Sequence, residues 1–495
     1  MKKGSLAIVL MIFTLTLFAQ NEANRATELY KKGKYKEAIT LLEEAIATNP
    51  DWYFPVLLKS NCNMKLGNYQ AALDGYKFIQ SMEIPDKEIP KVKFFMGQCY
   101  MRLGKQKEAI ELFNGLTKSA PENKKFDMYF SVGQAEVQVA RDAQKKKNNK
   151  TAHSYYSKAI SSFTNALKYP ASDEKRKINA AFQKAYSQFK IGNLQGSQDS
   201  LQKSISYFKD VLKIDPKHEQ THELLVEVSF RLAKKAKGKD KVAKYAQCVI
   251  YLDGYLKYWP NDVKMLDKKG QALLGVKRYS EAVSVFKKVV AKSPNDGNAY
   301  FSLGRAEMAD RQYNTAIGTF KKAMAKGAGK NPYVYSFSAH CYIKQKTKCT
   351  RDNIPLYQKA VDVLNQGLKA IPGNSKLQAE LDSKKENLDI FKTNYETEES
   401  NRKALIDNIK SLDQNIAGNT SKLEREREKQ LKQNTEAIEK SIANLKQQIK
   451  EARSEKEAEV KALRASYDIA KACGGAQGTA YYSQMQAVLK ANGAL

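Results

Sequence analysis

The sequence is poor in the residue types on which many enzymatic and metal sites depend. Its 495 residues include six cysteines and four histidines, and the cysteines form neither a C-x-x-C pair nor an evident disulfide framework. The patterns G-x-x-x-x-G-K-[ST], G-x-G-x-x-G after a strand and G-x-S-x-G are also absent. The sequence therefore predicts a protein that is not an enzyme and that holds no cofactor.

Long apolar runs are missing after the first 20 residues. Within those 20, two lysines precede an apolar stretch from Leu6 to Phe18, and Ala19 follows it. A basic start, about 13 apolar residues and a small residue are typical of a secretory signal peptide, and such a run is too short for a comfortable membrane span. We expect residues 1–20 to be a signal peptide, and the mature protein to be exported and soluble, with no membrane span.

Acidic residues are also scarce, since 53 of them stand against 84 lysines and arginines, for a net charge of +31. Residues 375–472 carry 20 basic and 19 acidic side chains, whereas residues 1–374 carry 63 and 34. This asymmetry indicates two parts with different roles. The basic part would attract anionic partners over a distance. Nucleic acid is not expected as a partner of an exported protein.

A repeated pattern organises residues 22–373. The stretches YKKGKYKEAITLLEEAIATNP (30–50), KRYSEAVSVFKKVVAKSP (277–294) and RQYNTAIGTFKKAMAKG (311–327) share a tyrosine followed three residues later by alanine. Small residues recur at Ala38, Ala72, Ala109, Ala159, Ser204, Cys248, Ala282, Ala316 and Ala360. A bulky residue follows each of them, at Leu42, Tyr76, Phe113, Phe163, Phe208, Leu252, Phe286, Phe320 and Leu364. Most units close with proline, which stops a helix.

This pattern resembles the tetratricopeptide repeat, whose period is 34 residues. The resemblance implies two antiparallel helices per unit, packed closely where a small side chain on the first helix faces a bulky one on the second. The small column of the first helices consists of Ala26, Gly97, Gly133, Ala185, Gly270, Gly304 and Ala339. It predicts an all-α fold, a right-handed superhelical solenoid of about nine helix pairs over residues 21–373. Units 4, 5, 6 and 9 carry about ten extra residues each, which either lengthen helices or form loops. These insertions include Lys145–Lys147, Gly192–Ser200 and Thr347–Asp352.

The repeat gives most of the cysteines a packing role. The columns of small residues contain Cys62, Cys99, Cys248 and Cys341. A free cysteine behaves as a small, buried apolar residue. Cys349 lies in an insertion eight residues after Cys341, and a disulfide between these two is the alternative to packing. Cys473 is expected at the end of the last long helix, as a free or intermolecular thiol.

Residues 218–222 read HEQTH, which matches H-E-x-x-H, the helix pattern of many zinc metalloproteases. The phase of the repeat offers another explanation. It places His218 at the start of a helix and His222 at the first core contact of that helix. A zinc site also needs a third ligand and a supporting shell, and no signature of a third ligand follows. Zinc-dependent hydrolysis is therefore a remote alternative, and no metal is predicted.

The resemblance also implies where partners bind, because the first helix of each unit lines the concave face of a tetratricopeptide array. The candidate partner-binding residues on that face are Asn61, Phe94, Gln98, Phe130, Gln134, Phe182, Tyr186, Lys268, Gln271, Phe301, Arg305 and Phe337. Rings supply contact area, and amides can satisfy the backbone polar groups of an extended peptide. For any one ring, packing between neighbouring units is the alternative.

The pattern changes from residue 374 onward. Apolar residues spaced by four, three and four positions occur at Leu405, Ile409, Leu412 and Ile416, and again at Ile438, Ile442, Leu445 and Ile449. This spacing predicts coiled-coil helices over residues 374–473, as a hairpin or as a self-associating segment. Ala417–Asn419 is expected to interrupt them, with Ser421 capping a new helix. The tail, residues 474–495, would dock either on these helices or on a partner.

Together these features predict a scaffold or adaptor of the exported, Gram-negative envelope type that binds protein or peptide partners. The periplasm is the expected location, in association with the outer membrane. The architecture resembles accessory parts of secretion, gliding-motility and outer-membrane assembly machines. Binding of an anionic envelope polymer, peptidoglycan or lipopolysaccharide, is the alternative function that the basic charge suggests.

Overall fold

The computed structural model describes residues 2–433, 436–475 and 479–495, with side chains from Thr16 onward. Throughout these residues the regular structure is helical, and none of their helices is both long and apolar enough to cross a membrane. The predicted all-α fold is confirmed. The chain divides into two compact units, Met1–Pro260 and Asn261–Leu495.

The first unit consists of six helix pairs within its described residues. Its helices are α1 Lys2–Lys31, α2 Tyr35–Thr48, α3 Tyr53–Leu66, α4 Tyr69–Gln80, α5 Ile89–Arg102, α6 Gln106–Ser119, α7 Glu122–Lys145, α8 Asn149–Ala166, α9 Glu174–Gln195, α10 Gln198–Ile214, α11 Glu219–Lys235 and α12 Gly238–Leu256. Each helix packs against the next one in the chain. Residues 2–20 of the predicted signal peptide lie within α1.

The close approach of two paired helices depends on a missing side chain. Gly133 on α7 faces the ring of Phe163 on α8, and a β-carbon added at Gly133 would lie 2.8 Å from that ring. Protein interiors are close-packed, so the ring could accept such an atom only by shifting. The predicted contact between small and bulky columns is therefore confirmed in this pair.

The extra residues of units 4 and 5 lengthen helices. α7 has 24 residues and α9 has 22, whereas α5 has 14. Three residues, 146–148, separate α7 from α8. Asn148 ends this short connection by accepting a hydrogen bond from the backbone N–H of Thr151 at 3.1 Å, which caps α8. The longer helices widen the surface that these two units present.

The second unit begins with three more helix pairs and continues into three further helices over its described residues. The pairs are α13 Val263–Gly275 with α14 Tyr279–Lys292, α15 Gly297–Ala309 with α16 Tyr313–Ala325, and α17 Pro332–Ile343 with α18 Thr350–Ala370. The other helices are α19 Ser375–Lys432, α20 Glu436–Ala472 and α21 Tyr482–Ala491. Gly304 on α15 faces Phe320 on α16, and a β-carbon at Gly304 would lie 2.7 Å from the ring. The same small-on-bulky contact therefore builds both units.

α19 and α20 form an antiparallel hairpin within the chain. Lys456 on α20 is ion-paired with Asp413 on α19. Farther toward the end of α19, Leu423 is buried together with Ile442 and Ile449 of α20. Residue numbers thus rise along one helix as they fall along the other. Of the two arrangements that the sequence left open, the structure contains the hairpin.

The predicted interruption at Ala417–Asn419 is wrong, because α19 is continuous through it. The Thr420 hydroxyl donates a hydrogen bond to the Ile416 carbonyl at 2.6 Å, within the helix. A glycine inside a helix costs only about 1 kcal/mol, and packing against α20 outweighs that cost. α19 ends instead at Lys432.

Two cysteines that sequence analysis did not pair form a disulfide. Cys349, the N-cap of α18, is bonded to Cys473, which follows α20, across 124 residues. The bridge from Cys349 to Cys341, which was the alternative to packing, and the free or intermolecular thiol expected at Cys473 are therefore both wrong. The reason is the hairpin, which returns the end of α20 to the start of α18. The predicted packing role is confirmed for the buried free cysteines, Cys62, Cys99, Cys248 and Cys341.

The C-terminal tail docks on the hairpin. Met485 and Leu489 of α21 are buried against Ile409 of α19 and against Leu463 and Tyr467 of α20. The tail thus contacts the chain's own helices, one of the two alternatives that the sequence left open.

Candidate partner-binding groove

Four successive helix pairs of the first unit line an open groove of about 770 Å³, called here the unit-one groove. The first helices α5, α7 and α9 supply most of its wall, and residues of α3, α4 and α6 complete it. The lining residues are Met64, Lys65, Tyr69, Gln98, Met101, Arg102, Gly104, Gln106, Phe113, Ser131, Gln134, Val137, Gln138, Arg141, Arg176, Asn179 and Gln183. The groove lies where the resemblance implies a binding face.

Amides are the commonest polar side chains in the unit-one groove. Gln98 on α5, Gln134 on α7 and Asn179 on α9 form no side-chain hydrogen bond within the described part of the chain. The buried Oε1 atom of Gln183 on α9 also lacks a hydrogen-bond partner there. A buried polar atom without a partner is destabilising. Gln183 therefore offers an unfilled acceptor, and the exposed amides of Gln134 and Asn179 can exchange water for a bound molecule.

Three arginines of the groove lie against aromatic rings. The guanidinium carbon of Arg102 is 5.9 Å from the centre of the Tyr69 ring. That of Arg141 is 5.6 Å from the Tyr186 ring. Cation–π contacts of this kind hold a long side chain in place while leaving its N–H groups able to donate.

The third arginine, Arg176, has a different environment. Its guanidinium lies 5.1 Å from the Phe130 ring and forms an ion pair with Asp127 at 2.7 Å. Within the described residues, Arg102 and Arg141 have no such carboxylate partner. Sequence analysis missed all three arginines, because it considered only residues flanking the small column of each first helix.

The structure brings part of the predicted binding set together. Gln98 and Gln134 both line the unit-one groove. Phe182 lies in a smaller recess beside it, with its ring 6.1 Å from Tyr186 and 5.0 Å from His218. Gln183 lines both the groove and this recess. The two depressions are therefore continuous along α9.

Three other predicted residues of the first unit take part in helix packing. The Tyr76 hydroxyl donates a hydrogen bond to Oδ1 of Asn61 at 2.6 Å. The Phe94 ring lies 5.6 Å from the ring of Phe113. Phe130 is only 4% exposed, so its ring belongs to the core rather than to an open face. For these positions, the packing alternative describes the structure better.

The predicted residues of the second unit lie on α13, α15 and α17. Phe301 on α15 and Phe337 on α17 stack in parallel with ring centres 5.9 Å apart, and Arg305 lies 5.8 Å from the Phe301 ring. Lys268 is half-buried on α13. The Gln271 amide donates a hydrogen bond to Asp267 at 2.7 Å. Burial raises the pKa of that carboxyl, which the hydrogen bond partly offsets.

Both imidazoles of HEQTH have structural roles. His218 is the N-cap of α11, where Nδ1 accepts a hydrogen bond from the Thr221 N–H at 3.3 Å. His222 is buried, with Nε2 3.0 Å from the Pro216 carbonyl oxygen. The ring also lies 5.9 Å from that of Trp259. The positions predicted from the repeat phase, a helix start and a core contact, are confirmed.

Two buried glutamates were not anticipated. Glu136 follows Gly133 by three positions on α7, and the Ser162 hydroxyl donates a hydrogen bond to it at 2.7 Å. Burial raises the pKa of Glu136 to about 7, although Ser162 and Lys158 act to lower it. Glu307 follows Gly304 in the same way, and burial raises its pKa despite a hydrogen bond from Thr319. The signal that could have found them is the repeated G-x-A-E, GQAE at 133–136 and GRAE at 304–307.

The observed helix pairs agree with a comparison of the sequence to models of protein families. Two family models described as tetratricopeptide repeat match the chain, one at residues 24–77 and 268–331 and the other at 90–123 and 185–218. These four segments are similar to tetratricopeptide repeats. The family resemblance drawn from the small and bulky columns is thereby confirmed. No curated protein sequence matches the chain.

Solved structures with repeats of this kind are similar to parts of the chain. The C-terminal part of a TPR repeat-containing protein from Cytophaga hutchinsonii aligns over 57% of this chain and 98% of its own, with 18% identity and a TM-score of 0.38. MamA from Desulfovibrio magneticus RS-1 aligns over 39% and 97%, with 21% identity and a TM-score of 0.31. YrrB, a TPR protein with an unusual peptide-binding site, aligns over 43% and 98%, with 15% identity and a TM-score of 0.31.

Proposed function

We propose that the protein is a non-enzymatic scaffold or adaptor that binds segments of partner proteins in the unit-one groove. Tetratricopeptide repeats mediate protein–protein interactions, and stacked repeats create extended binding surfaces. The observation that carries the proposal is the unfilled hydrogen-bonding capacity of Gln98, Gln134 and Gln183. An extended peptide presents one backbone donor and one acceptor at almost every residue, which complements a row of amides.

We place this function in the periplasm, at the outer membrane. The basic and apolar composition of residues 2–20 supports export. The Cys349–Cys473 disulfide supports it independently, because disulfides persist mainly in oxidising compartments. The scaffold would then serve as an accessory part of a secretion, gliding or outer-membrane assembly machine.

In this proposal the hairpin is a spacer. With 58 residues, α19 is about 87 Å long at 1.5 Å per residue. Residues 375–472 carry 20 basic and 19 acidic side chains, so they contribute little net charge to partner attraction. Self-association through the hairpin surface is the alternative role.

Affinity capture followed by mass spectrometry tests the proposed function. The bait is the full chain, in wild-type form and with Gln98→Ala and Gln134→Ala combined. We expect a defined set of proteins to co-purify with the wild type at both about 0.15 M and about 0.5 M salt, and to be depleted with the double variant. Gln80→Ala is the matched control, since this glutamine is exposed at the end of α4 and outside the groove.

The net charge of +31 favours a second candidate, binding of peptidoglycan or lipopolysaccharide. Lysine and arginine contacts with an anionic polymer weaken steeply as salt screens them. Co-purification of polymer at low salt only, with no protein partner at either salt concentration, would replace the scaffold proposal with this one.

A further inference from the structure

The unit-one groove is basic. Four of its 17 lining residues are basic and none is acidic. The basic residues are Lys65, Arg102, Arg141 and Arg176. Of the three arginines, Arg176 already has a carboxylate from the protein, Asp127 at 2.7 Å. The other two have none within the described residues, so the groove contains two guanidinium groups that no protein carboxylate neutralises.

The positions of these two arginines are constrained. Arg102 is the last residue of α5 and lies over Tyr69, and Arg141 lies over Tyr186. A guanidinium held on a ring loses less conformational freedom when it binds an anion. Its planar set of N–H groups matches a carboxylate, to which it donates two parallel hydrogen bonds. The groove thus presents two preformed carboxylate-binding positions.

Peptide fits the space between these positions better than sugar does. Gln134 on α7 and Gln183 on α9 supply amide groups with unfilled hydrogen-bonding capacity, and Met64 and Met101 add adaptable apolar contacts. The guanidinium of Arg102 lies over one face of the Tyr69 ring, so that face is not available for stacking on a sugar.

We propose that the unit-one groove selects an extended segment of a partner protein that carries aspartate or glutamate side chains, with Arg102 and Arg141 as the residues that bind them. This inference rests on the proposed function and adds to it the chemistry of the partner. Neutral segments would bind through the amides alone. Sugar hydroxyls can also hydrogen-bond to Gln134 and Gln183, so the test below includes soluble peptidoglycan fragments.

Fluorescence anisotropy with two synthetic peptides tests the proposal. One labelled peptide of about twelve residues alternates glutamate with serine, and the other has glutamine in place of every glutamate. Twelve extended residues span about 40 Å, enough to cross several helices. We expect the acidic peptide to bind at least about tenfold more tightly than its amide counterpart at about 0.15 M salt. Arg102→Gln combined with Arg141→Gln should abolish that difference.

The matched control is Arg425→Gln combined with Arg427→Gln. Both residues are exposed on α19, so this variant loses the same charge outside the groove, and it should bind the acidic peptide within about twofold of wild type. Thermal unfolding of both variants verifies that they fold. Equal weakening by the two variants would show that net charge alone attracts the peptide, which overturns the inference.

Two further outcomes separate this inference from the proposed function. Equal, groove-dependent binding of the acidic and amide peptides would leave the scaffold function standing and refute the acidic partner. Binding of soluble peptidoglycan fragments, with neither peptide competing, would refute both.

Discussion

At the scale of single residues, the repeats depend on positions where a helix carries no side chain. Gly304→Ala would place a β-carbon 2.7 Å from the Phe320 ring, and we expect it to destabilise the second unit by about 1–3 kcal/mol. Gly318→Ala is the control, because nothing lies within 4 Å of its added carbon and alanine favours helix by about 1 kcal/mol. Chemical unfolding of both variants measures the difference. Similar stability of the two variants would contradict this account of the helix contact.

The buried carboxyl of Glu136 makes a second prediction, about pH. Its pKa rises from 4.5 to about 7 on folding, so the folded state holds the proton more tightly than the unfolded state does. The contribution of Glu136 to the free energy of unfolding is fully present below about pH 4.5 and is lost as pH rises toward about 7. The total change is about 3 kcal/mol. Glu136→Gln keeps a hydrogen-bonding side chain at this position, but one that does not titrate in this pH range.

Unfolding free energies measured from about pH 4.5 to about pH 8 test this sign. Relative to Glu136→Gln, the wild type should lose stability as pH rises through that range. Glu111→Gln, at an exposed position on α6, controls for the removal of a surface charge. A gap between wild type and Glu136→Gln that stays constant with pH would contradict the buried, proton-holding carboxyl.

The sequence predicted the apolar packing residues better than the buried polar ones. Gly133 and Phe163 could be predicted because close helix packing requires a small residue opposite a large one. Glu136 could not, since a charged residue in a helix is ordinarily exposed. Phe130 was assigned to an open face because the repeat pattern gives its helix position and not the extent to which neighbouring rings cover it.

At the scale of helices, the disulfide fixes the base of the hairpin. Cys349 precedes α18 and Cys473 follows α20, so the bond joins the last repeat to the end of the hairpin. Replacing both cysteines by serine should lower the stability of the second unit by about 2–4 kcal/mol and speed hydrogen exchange in α21. Exchange rates measured by mass spectrometry, with and without reductant, provide the readout.

The control for this experiment is Cys62→Ala, a buried free cysteine of the first unit. It should leave exchange in α21 unchanged, and reductant should make the wild type behave like the double serine variant. Six alkylated thiols on the unreduced protein would show that the bond is absent in solution.

The helical hairpin shows which features of helices a sequence pattern predicts and which it does not. The four-three-four spacing of apolar residues predicted the helices, because it reports which face is buried. It did not show that α19 continues through Gly418, since helix propensity there is outweighed by contacts with α20. The pairing of Cys349 with Cys473 depends on the hairpin closing across 124 residues, which local patterns do not encode.

At the scale of the whole molecule, the proposed function depends on combining several repeats. The groove is lined by residues from Met64 to Gln183, which four successive helix pairs bring together. Gln98 and Gln134 could be predicted from their place beside the small column. Arg102 and Arg141 could not, because they reach the groove from outside that column.

Photo-crosslinking at Gln134 tests the central claim most directly, that a polypeptide occupies the unit-one groove. A photoreactive benzoylphenylalanine at this exposed position would be activated in cells, and its adducts analysed by mass spectrometry. We predict protease-sensitive adducts at position 134 and none at position 111, which is exposed on α6 outside the groove. Adducts that resist protease and yield to a glycan hydrolase, or equal crosslinking at both positions, would contradict the account.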